Sequence, residues 1–350
     1  MDDLNRKTWN GYMASKPHAQ FLQSWEWGEL QRALGLPAHF LFSRTAHGDI
    51  SECGLFLEIP LFAGKTYLYC PRGPVEYFSD SLFDEVQKFC NERFSTKKNR
   101  PLFLRCEPGS IRSIDKVCVQ RGRRVLSVQP EREWLLDLSK GEPEIFSKMH
   151  PKTRYNIRLA SKKNVQVRMV SDEREVLERA IDVLYGFLEK TAHSKEYRLH
   201  SRLYYRSLIT IFTQTGGRIS PDTPAIRLFE ATVEDAVVAS VCMMYFGDTA
   251  YYLYGGSDSR YSTVMAPFAL HAYAIRDSME AGYRYYNFGG ISPEGADKHP
   301  LAGVTRFKTG FGGEHILYPG TLDIVLNNLG YMVYQVGRPL WRIFNRVRRP

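Results

Sequence analysis

The sequence predicts an α/β (α+β) protein made of two similar halves, each a mixed sheet flanked by helices. The chain has 350 residues, more than one hydrophobic core usually holds and enough for two cores of about 150–170 residues. Its hydrophobic content is 43% and its charged content 24%, so both halves can bury a core. A strand–strand–helix–strand pattern occurs twice, and this repeat divides the chain.

The first copy of the pattern lies in residues 53–108. An apolar strand over Cys53–Pro60 precedes the aromatic strand Thr66–Pro71. An amphipathic helix is predicted over Leu82–Phe94, because Ser79 and Asp80 are helix-start residues. The strand Pro101–Pro108 then completes the unit.

The second copy repeats this order in residues 237–289. A strand pair over Val237–Tyr245 and Ala250–Tyr254 is followed by a helix over Met265–Glu280 and a strand over Tyr283–Gly289. Order, spacing and aromatic strands agree in the two copies, so we predict that residues 151–319 superpose on residues 1–150. Chance recurrence of a common pattern is the alternative.

The charge balance is basic, with 47 Lys and Arg against 38 Asp and Glu. Such a balance suits tRNA, pyrophosphate or anionic lipid, although a solvated basic surface is the plainer interpretation. Pro151 predicts a helix start, and the helix Lys152–Lys162 presents Lys152, Arg158 and Lys162. That helix is either a phosphate-facing surface or a solvated face.

The C-terminal segment is basic and amphipathic. No acidic residue follows Asp323, and Leu340, Trp341 and Phe344 supply apolar surface. Arginines three or four residues apart fall on one helical face; they are Arg338, Arg342, Arg346 and Arg349. A helix lying on an anionic membrane and a helix packed on the core with a basic end are equally good interpretations.

Several kinds of chemistry lack their sequence signals. No GxGxxG, GxxxxGK[ST], GxSxG or HExxH motif is found, and no set of residues has metal-ligand spacing, so we expect no metal and no cofactor. Helix starts at Ser79–Ser81 and Tyr261–Val264 offer no glycine-rich turn for the coenzyme A pyrophosphate.

The location is predicted from three further observations. The six cysteines form no CxxC pair and are expected to be reduced. The N-terminus has no signal architecture, and no apolar run approaches 18 residues. We therefore expect a cytoplasmic protein, with peripheral contact at the inner face of the cell membrane through the arginine face.

Short motifs occur along nearly the whole chain. They are Phe21–Gly28, Tyr69–Val75, Gln129–Pro130, Leu135–Leu138, Lys152–Arg158, Tyr252–Ser257, Tyr286–Ile291 and Phe307–Gly312. In their order and spacing over about 300 residues, these motifs resemble the Fem family of aminoacyltransferases (FemA, FemB, FemX), which add amino acids from aminoacyl-tRNA to the peptidoglycan stem peptide.

The resemblance implies two tandem acetyltransferase (GNAT)-like domains. Domain 1, with the acceptor cleft, spans residues 1–150 and is completed by the C-terminal segment 320–350. Domain 2 spans residues 151–319 and faces the tRNA, through Lys152, Arg158 and Lys162. Larger family members carry a long helical arm; residues 171–217 lack the length and heptads for one, so we expect the armless type.

The resemblance also implies site residues. Positions that the family uses near the acceptor and the reacting ester are matched by Tyr204, Tyr252, Tyr254, Phe307 and Lys308. Two positions depart from the family pattern: Gln31 and His200 stand where the short family member grips acceptor phosphates with lysine and arginine. Arg32 and Arg198 lie nearby in sequence and are the expected substitutes.

The residues themselves suggest roles. Lys308, in a strand-like segment over 304–311 with Phe307 and Phe311 as neighbours, suits the cation that stabilises a developing oxyanion. Tyr252 and Tyr254 are two apart on a predicted strand and should point to one face. A snorkelling surface lysine and core-packed tyrosines are the alternatives.

The predicted function is transfer of an amino acid from aminoacyl-tRNA to the stem peptide of a lipid-linked or nucleotide-linked muramyl precursor. One alternative is a coenzyme A-dependent GNAT-type N-acyltransferase. The other is a non-catalytic relative that binds tRNA or membrane. The donated amino acid and the general base are not identified by the sequence.

Overall fold

The computed structural model describes residues 4–75, 78–94, 100–109, 120–195, 199–213, 219–296 and 298–337. By its contacts the chain divides into two compact units. The seven-stranded unit comprises residues 1–21 and 132–316, and the six-stranded unit comprises residues 22–131 and 317–350. No helix in the described ranges is long and apolar enough to cross a membrane.

The regular elements are numbered in chain order. The helices are α1 Arg6–Ala14, α2 Trp25–Ala33, α3 Asp80–Arg93, α4 Glu142–Lys148, α5 Pro151–Lys162, α6 Arg174–Lys195, α7 Arg202–Phe212, α8 Ala266–Glu280, α9 Ala302–Thr309 and α10 over 328–337. The strands are β1 Ala38–Arg44, β2 Ile50–Pro60, β3 Thr66–Cys70, β4 Phe103–Cys106, β5 Gly122–Val125, β6 Arg132–Asp137, β7 Gln166–Met169, β8 Ala225–Val233, β9 Ala236–Phe246, β10 Thr249–Ser257, β11 Tyr285–Gly290, β12 Glu314–Leu317 and β13 Thr321–Val325.

The six-stranded unit holds the first copy of the repeat. Its strand order is β1-β2-β3-β4-β13-β5, with β2 antiparallel to β3 and β3 parallel to β4. The crossover helix α3 begins where the Ser79 side chain accepts a hydrogen bond from the Ser81 amide. Leu82, Val86 and Cys90 bury one face of α3 against the sheet. The C-terminal strand β13 lies between β4 and β5.

The seven-stranded unit holds the second copy. Its strand order is β12-β6-β11-β10-β9-β8-β7, with β9 antiparallel to β10 and β10 parallel to β11 across helix α8. Leu270 and Ala274 of α8 pack in a core with Met243 and Tyr286 of the sheet. The order of strands and helix predicted from the repeat is therefore found in both units.

The border between the units lies earlier than the predicted border at residue 150. Strand β6 pairs with β11, Leu135 opposite Asn287, so residues 132–150 belong with the second copy of the repeat. The N-terminal segment also belongs there, because the Tyr251 hydroxyl donates to the Ala19 carbonyl at 2.7 Å. Nothing in the sequence of β6 itself specifies its partner strand, since alternation predicts a strand and not its neighbour.

A buried ion pair fastens β13 into the six-stranded sheet. Arg105 on β4 donates two parallel hydrogen bonds to the Asp323 carboxylate at 2.7 and 2.8 Å. The Tyr331 hydroxyl donates to the same carboxylate at 3.0 Å. Asp323 is fully buried, so its charge depends on these donors for compensation.

We predict that Asp323→Asn destabilises the protein by about 3–5 kcal/mol, because it leaves the buried Arg105 cation without its counter-charge. Urea denaturation of the two proteins measures the difference. The matched acid-to-amide control is Glu85→Gln, whose carboxylate makes an exposed pair with Lys88 at 4.0 Å and should change stability by less than about 0.5 kcal/mol. Equal losses in both variants would contradict the role given to the buried pair.

Candidate functional site

Lys308 lies on a helix and not in the predicted strand. Helix α9 spans Ala302–Thr309, so the prediction of a strand over residues 304–311 is wrong. A short apolar run does not distinguish strand from helix by itself. The four-residue spacing of Phe307 and Phe311, whose rings lie 5.4 Å apart, is the helical signal in this segment.

The ammonium of Lys308 is buried. Only 7% of the residue is exposed, and its Nζ donates to the Gly290 carbonyl at 2.7 Å. Burial lowers the pKa of Lys308 to about 8, while the nearby Glu133 carboxylate acts in the opposite direction. The amine is therefore mostly protonated at neutral pH, and its field is weakly screened.

A polar network fixes the carbonyl that Lys308 contacts. The Asn287 side chain accepts from the Gly289 amide and donates to the Glu133 carboxylate, both at 2.7 Å. Gly289 has a φ of +74°, a conformation that glycine adopts without strain. Glu133 stands opposite Gly290 in the β6–β11 ladder. Asn287 and Glu133 thus hold the turn that presents the Gly290 carbonyl.

A cluster of aromatic rings lies beside the Lys308 ammonium. Nζ lies 5.9 Å from the Tyr252 ring centroid, and the buried His271 ring packs 4.6 Å from Tyr252 and 5.2 Å from Phe307. His271 Nδ1 lies 2.8 Å from the Tyr286 hydroxyl. Burial, with the Lys308 charge, lowers the pKa of His271 to about 3, so the imidazole is neutral. Lys308 is therefore the cation of this cluster.

Tyr252 and Tyr254 point to opposite faces of the sheet, so the prediction of a shared face is wrong. Tyr252 pairs with Met243 and Tyr254 with Cys242 across a β-bulge. Adjacent residues of a strand point to opposite faces, and paired residues share one, so the bulge separates the two tyrosines. Gly255 accommodates this arrangement, because a Cβ there would lie 2.7 Å from the Tyr252 hydroxyl.

A second aromatic group lies on the face of Tyr254. The Tyr204 and Tyr254 hydroxyls are 3.2 Å apart, and burial raises the pKa of both phenols. The Tyr205 ring lies 4.9 Å from Tyr254, and the exposed His200 ring stacks on Tyr204 at 4.1 Å. The predicted residues near the acceptor and the ester thus fall into two groups: a lysine group around Lys308, Tyr252 and Phe307, and a tyrosine group of Tyr204, Tyr254 and His200.

The remaining predicted residues lie elsewhere or outside the described ranges. Arg32 belongs to the six-stranded unit, where its guanidinium donates to the Ala38 carbonyl at 2.5 and 3.2 Å and lies 5.1 Å from the Phe40 ring. Gln31 is buried in α2. Outside the described residues are Arg198, Arg338, Arg342, Arg346 and Arg349.

The basic helix is found where it was predicted. Helix α5 spans Pro151–Lys162, with Thr153, Asn156 and Ala160 buried. Lys152, Arg158 and Lys162 are exposed. The helix therefore presents a basic outer face to solvent.

Comparison with known proteins identifies the family of this chain. The family model of the FemAB family matches residues 4–123, 120–216 and 225–337. The chain belongs to the FemAB family. Aminoacyltransferase FemA of Staphylococcus aureus (strain MW2) is 20% identical over 418 aligned positions, which cover 95% of this chain and 96% of FemA.

Solved structures agree with the FemAB fold. The crystal structure of FemX has a TM-score of 0.78 at 15% identity and covers 95% of this chain and 98% of its own. The C-terminal domain of a putative lysylphosphatidylglycerol synthetase from Agrobacterium fabrum has a TM-score of 0.52 at 12% identity, covering 87% and 88%. The predicted fold class, tandem GNAT-like domains, is confirmed. Between β7 and β8 the described helices are α6 and α7, and α6 packs on β9 and β10 of the sheet.

Sequence reasoning missed three members of the lysine group: Glu133, Asn287 and His271. Asn287 lies in the motif Tyr286–Ile291, two residues before the glycine pair Gly289-Gly290. An asparagine two residues before a turn glycine commonly hydrogen-bonds the backbone, which is the signal available for it. Glu133 and His271 carry no such signal, because their roles depend on strand pairing and helix packing.

We predict that Asn287→Ala destabilises the FemAB-family protein by about 1–3 kcal/mol. The substitution removes the acceptor of the partly buried Gly289 amide and a donor to the buried Glu133 carboxylate, and unsatisfied buried groups carry that penalty. Urea denaturation measures it. The control Asn91→Ala, at an exposed position of α3, should change stability by less than about 0.5 kcal/mol. A stable Asn287→Ala variant would show that the network does not hold the turn.

Proposed function

We propose that this FemAB-family protein is an aminoacyltransferase, which moves an amino acid from aminoacyl-tRNA to an amine of the stem peptide of a peptidoglycan precursor. The reaction builds interpeptide bridges in cell-wall biogenesis. The name of the FemA relative supports the activity. The observation that carries the proposal is the buried Lys308 ammonium in its aromatic surroundings.

The proposed reaction needs no ATP, because the bonds formed and broken and the proton transferred all belong to the two substrates. The acceptor amine attacks the ester carbonyl carbon, and a C–N bond forms as the carbonyl oxygen becomes an oxyanion. The C–O bond to the ribose then breaks, and the proton lost by the amine ends on the ribose oxygen. Holding amine and ester together contributes about 7–11 kcal/mol at most. A donor aimed at the oxyanion contributes about 3–4 kcal/mol more.

Lys308 fits the oxyanion role for two physical reasons. An ammonium has three N–H donors; one contacts the Gly290 carbonyl and orients the group, which leaves donors for a substrate oxygen. The aromatic neighbours Tyr252 and Phe307 lower the local dielectric and strengthen the field of the charge. The charge therefore acts on the reacting carbonyl with little reorganisation.

The tyrosine group suits acceptor binding. Phenols with raised pKa values stay protonated and can donate to peptide carbonyls or sugar oxygens, which we propose for Tyr204 and Tyr254. His200, on the exposed edge of this group, is proposed to contact acceptor phosphates. Arg32 and Arg198 are each proposed to contact an acceptor phosphate, in place of the family's lysine and arginine.

Two surfaces are proposed for the polyanionic partners. The basic face of α5, with Lys152, Arg158 and Lys162, contacts the tRNA backbone. The arginine face of Arg338, Arg342, Arg346 and Arg349 contacts anionic lipid, which puts the protein at the inner face of the cell membrane.

Lys308→Met tests the catalytic role. Turnover should fall about 10²–10³-fold, the usual loss for one oxyanion donor, and acceptor affinity should change less, because the lost interaction belongs to the transition state. Lys308→Arg should restore little of the lost turnover, since a planar guanidinium does not replace a compact charge. Single-turnover transfer from charged tRNA, with acceptor affinity determined separately, gives both quantities.

A lysine variant in the six-stranded unit provides the control for this measurement. Lys88→Met, on the exposed face of α3, should transfer at the wild-type rate. If Lys308→Met also transfers at that rate, the assignment of Lys308 must be abandoned. Transfer from acetyl-coenzyme A in place of charged tRNA would instead support the N-acyltransferase alternative.

Charge reversal on α5 tests the tRNA surface. Changing Lys152, Arg158 and Lys162 to Glu should raise the apparent KM for the aminoacyl-tRNA donor. The salt dependence of this KM should also become flatter, because fewer counterions are released from the phosphates. Donor kinetics are measured across a salt series. The control reverses three exposed charges elsewhere, Lys7, Lys88 and Arg93, for the same change in net charge. Equal effects of both triple variants would leave only a general charge effect.

A further inference from the structure

Helix α10 is fastened to the six-stranded unit by one face. Tyr331 and Tyr334 are 2% and 5% exposed, and their rings lie 5.2 and 4.9 Å from the Phe103 ring. The Tyr331 hydroxyl donates to the buried Asp323 carboxylate. At the start of the helix, the Gly330 amide donates to the Asn327 side chain at 2.8 Å. The position and rotation of α10 are therefore fixed by the core.

The opposite side of α10 exposes a row of apolar side chains. Their spacing of three, four and seven residues puts them on one helical face. The apolar face of α10 consists of Leu329, Met332, Val333 and Val336, which are 74%, 63%, 51% and 79% exposed. Among the other described helices, the large apolar residues this exposed are single, such as Tyr155 of α5 and Leu203 of α7. A contiguous face of this kind indicates an interaction surface.

The charge of the chain beyond α10 indicates the chemistry of the partner. Residues 338–350 contain five arginines, and no acidic residue follows Asp323. The same segment contains Leu340, Trp341, Ile343 and Phe344. Apolar surface followed directly by a polybasic segment matches an anionic lipid bilayer, which offers acyl chains and phosphates at one surface.

A second copy of the chain fits the apolar face less well. Each copy carries five arginines and no acidic residue in the 13 residues that follow α10, and like charges are repulsive in an interface between two copies. Lipid phosphates would instead neutralise the same arginines.

We propose that the apolar face of α10 lies on the surface of an anionic bilayer, with its side chains among the acyl chains. The arginine contact supplies the electrostatic part of the binding, and the apolar face of α10 supplies the apolar part. Neither contribution alone gives stable membrane binding, since stable anchoring needs two signals together. Bilayer binding by α10 does not depend on the transfer reaction.

Vesicle sedimentation tests the proposal without an activity assay. The full-length protein is mixed with phosphatidylcholine vesicles containing one quarter phosphatidylglycerol. The variant Leu329→Gln with Val336→Gln keeps the net charge and the helix propensity, and its partition constant should fall at least about 10-fold. The control Leu126→Gln with Met169→Gln changes two other exposed apolar residues, 66% and 42% exposed, and should bind like the wild type.

Three results would overturn the proposal. The first is binding of the α10 variant at the wild-type level. The second is a large drop in its melting temperature with binding retained, which would mean that the chain's own C-terminal segment covers the face. The third is a wild-type dimer, seen by analytical ultracentrifugation, that the α10 variant alone dissociates. The proposal expects a folded monomer that loses only its vesicle binding.

Discussion

The structure around the candidate site depends on one constraint, the burial of the Lys308 ammonium. A charge taken out of water costs free energy unless it is hydrogen-bonded, and here the Gly290 carbonyl is the contact that offsets the cost. That carbonyl is held in turn by Asn287 and Glu133, which keep the Gly289 turn in its left-handed conformation. The incomplete compensation is visible in the lowered pKa of Lys308.

The surrounding aromatic residues make the buried charge effective. His271 is kept neutral by its own burial, so it adds no second cation beside Lys308. The Tyr252 and Phe307 rings limit water around the ammonium. In the proposed reaction, this arrangement places a fixed positive charge where negative charge develops, and it does so before the substrate arrives.

The β-bulge in β10 has a clear consequence for the organisation of the site. Without it, Tyr252 and Tyr254 would share a face. With it, Tyr254 joins Tyr204 on the other face, where the two phenols contact each other. One strand therefore contributes to two separate groups of side chains within one unit.

The sequence predicted those features that depend on local pattern. The β-β-α-β order, helix α5 and helix α8 follow from periodicity, start signals and turn residues. The strand assigned to residues 304–311 failed because a short aromatic run fits both periods. The pairing of β6 with β11, the bulge at Tyr252–Tyr254 and the Glu133–Asn287 contact depend on residues far apart in sequence, which no local pattern specifies.

Direct titration of the Lys308 amine tests the central claim most closely. Nuclear magnetic resonance of protein labelled at the lysine side chains, with the signal assigned by its loss in Lys308→Met, follows the protonation of Nζ. The account predicts a pKa of about 8, because burial disfavours the charged form. A value near the ordinary 10.5 would mean that the ammonium is solvated. The proposed role in stabilising an oxyanion in a low-dielectric site would then lose its physical basis.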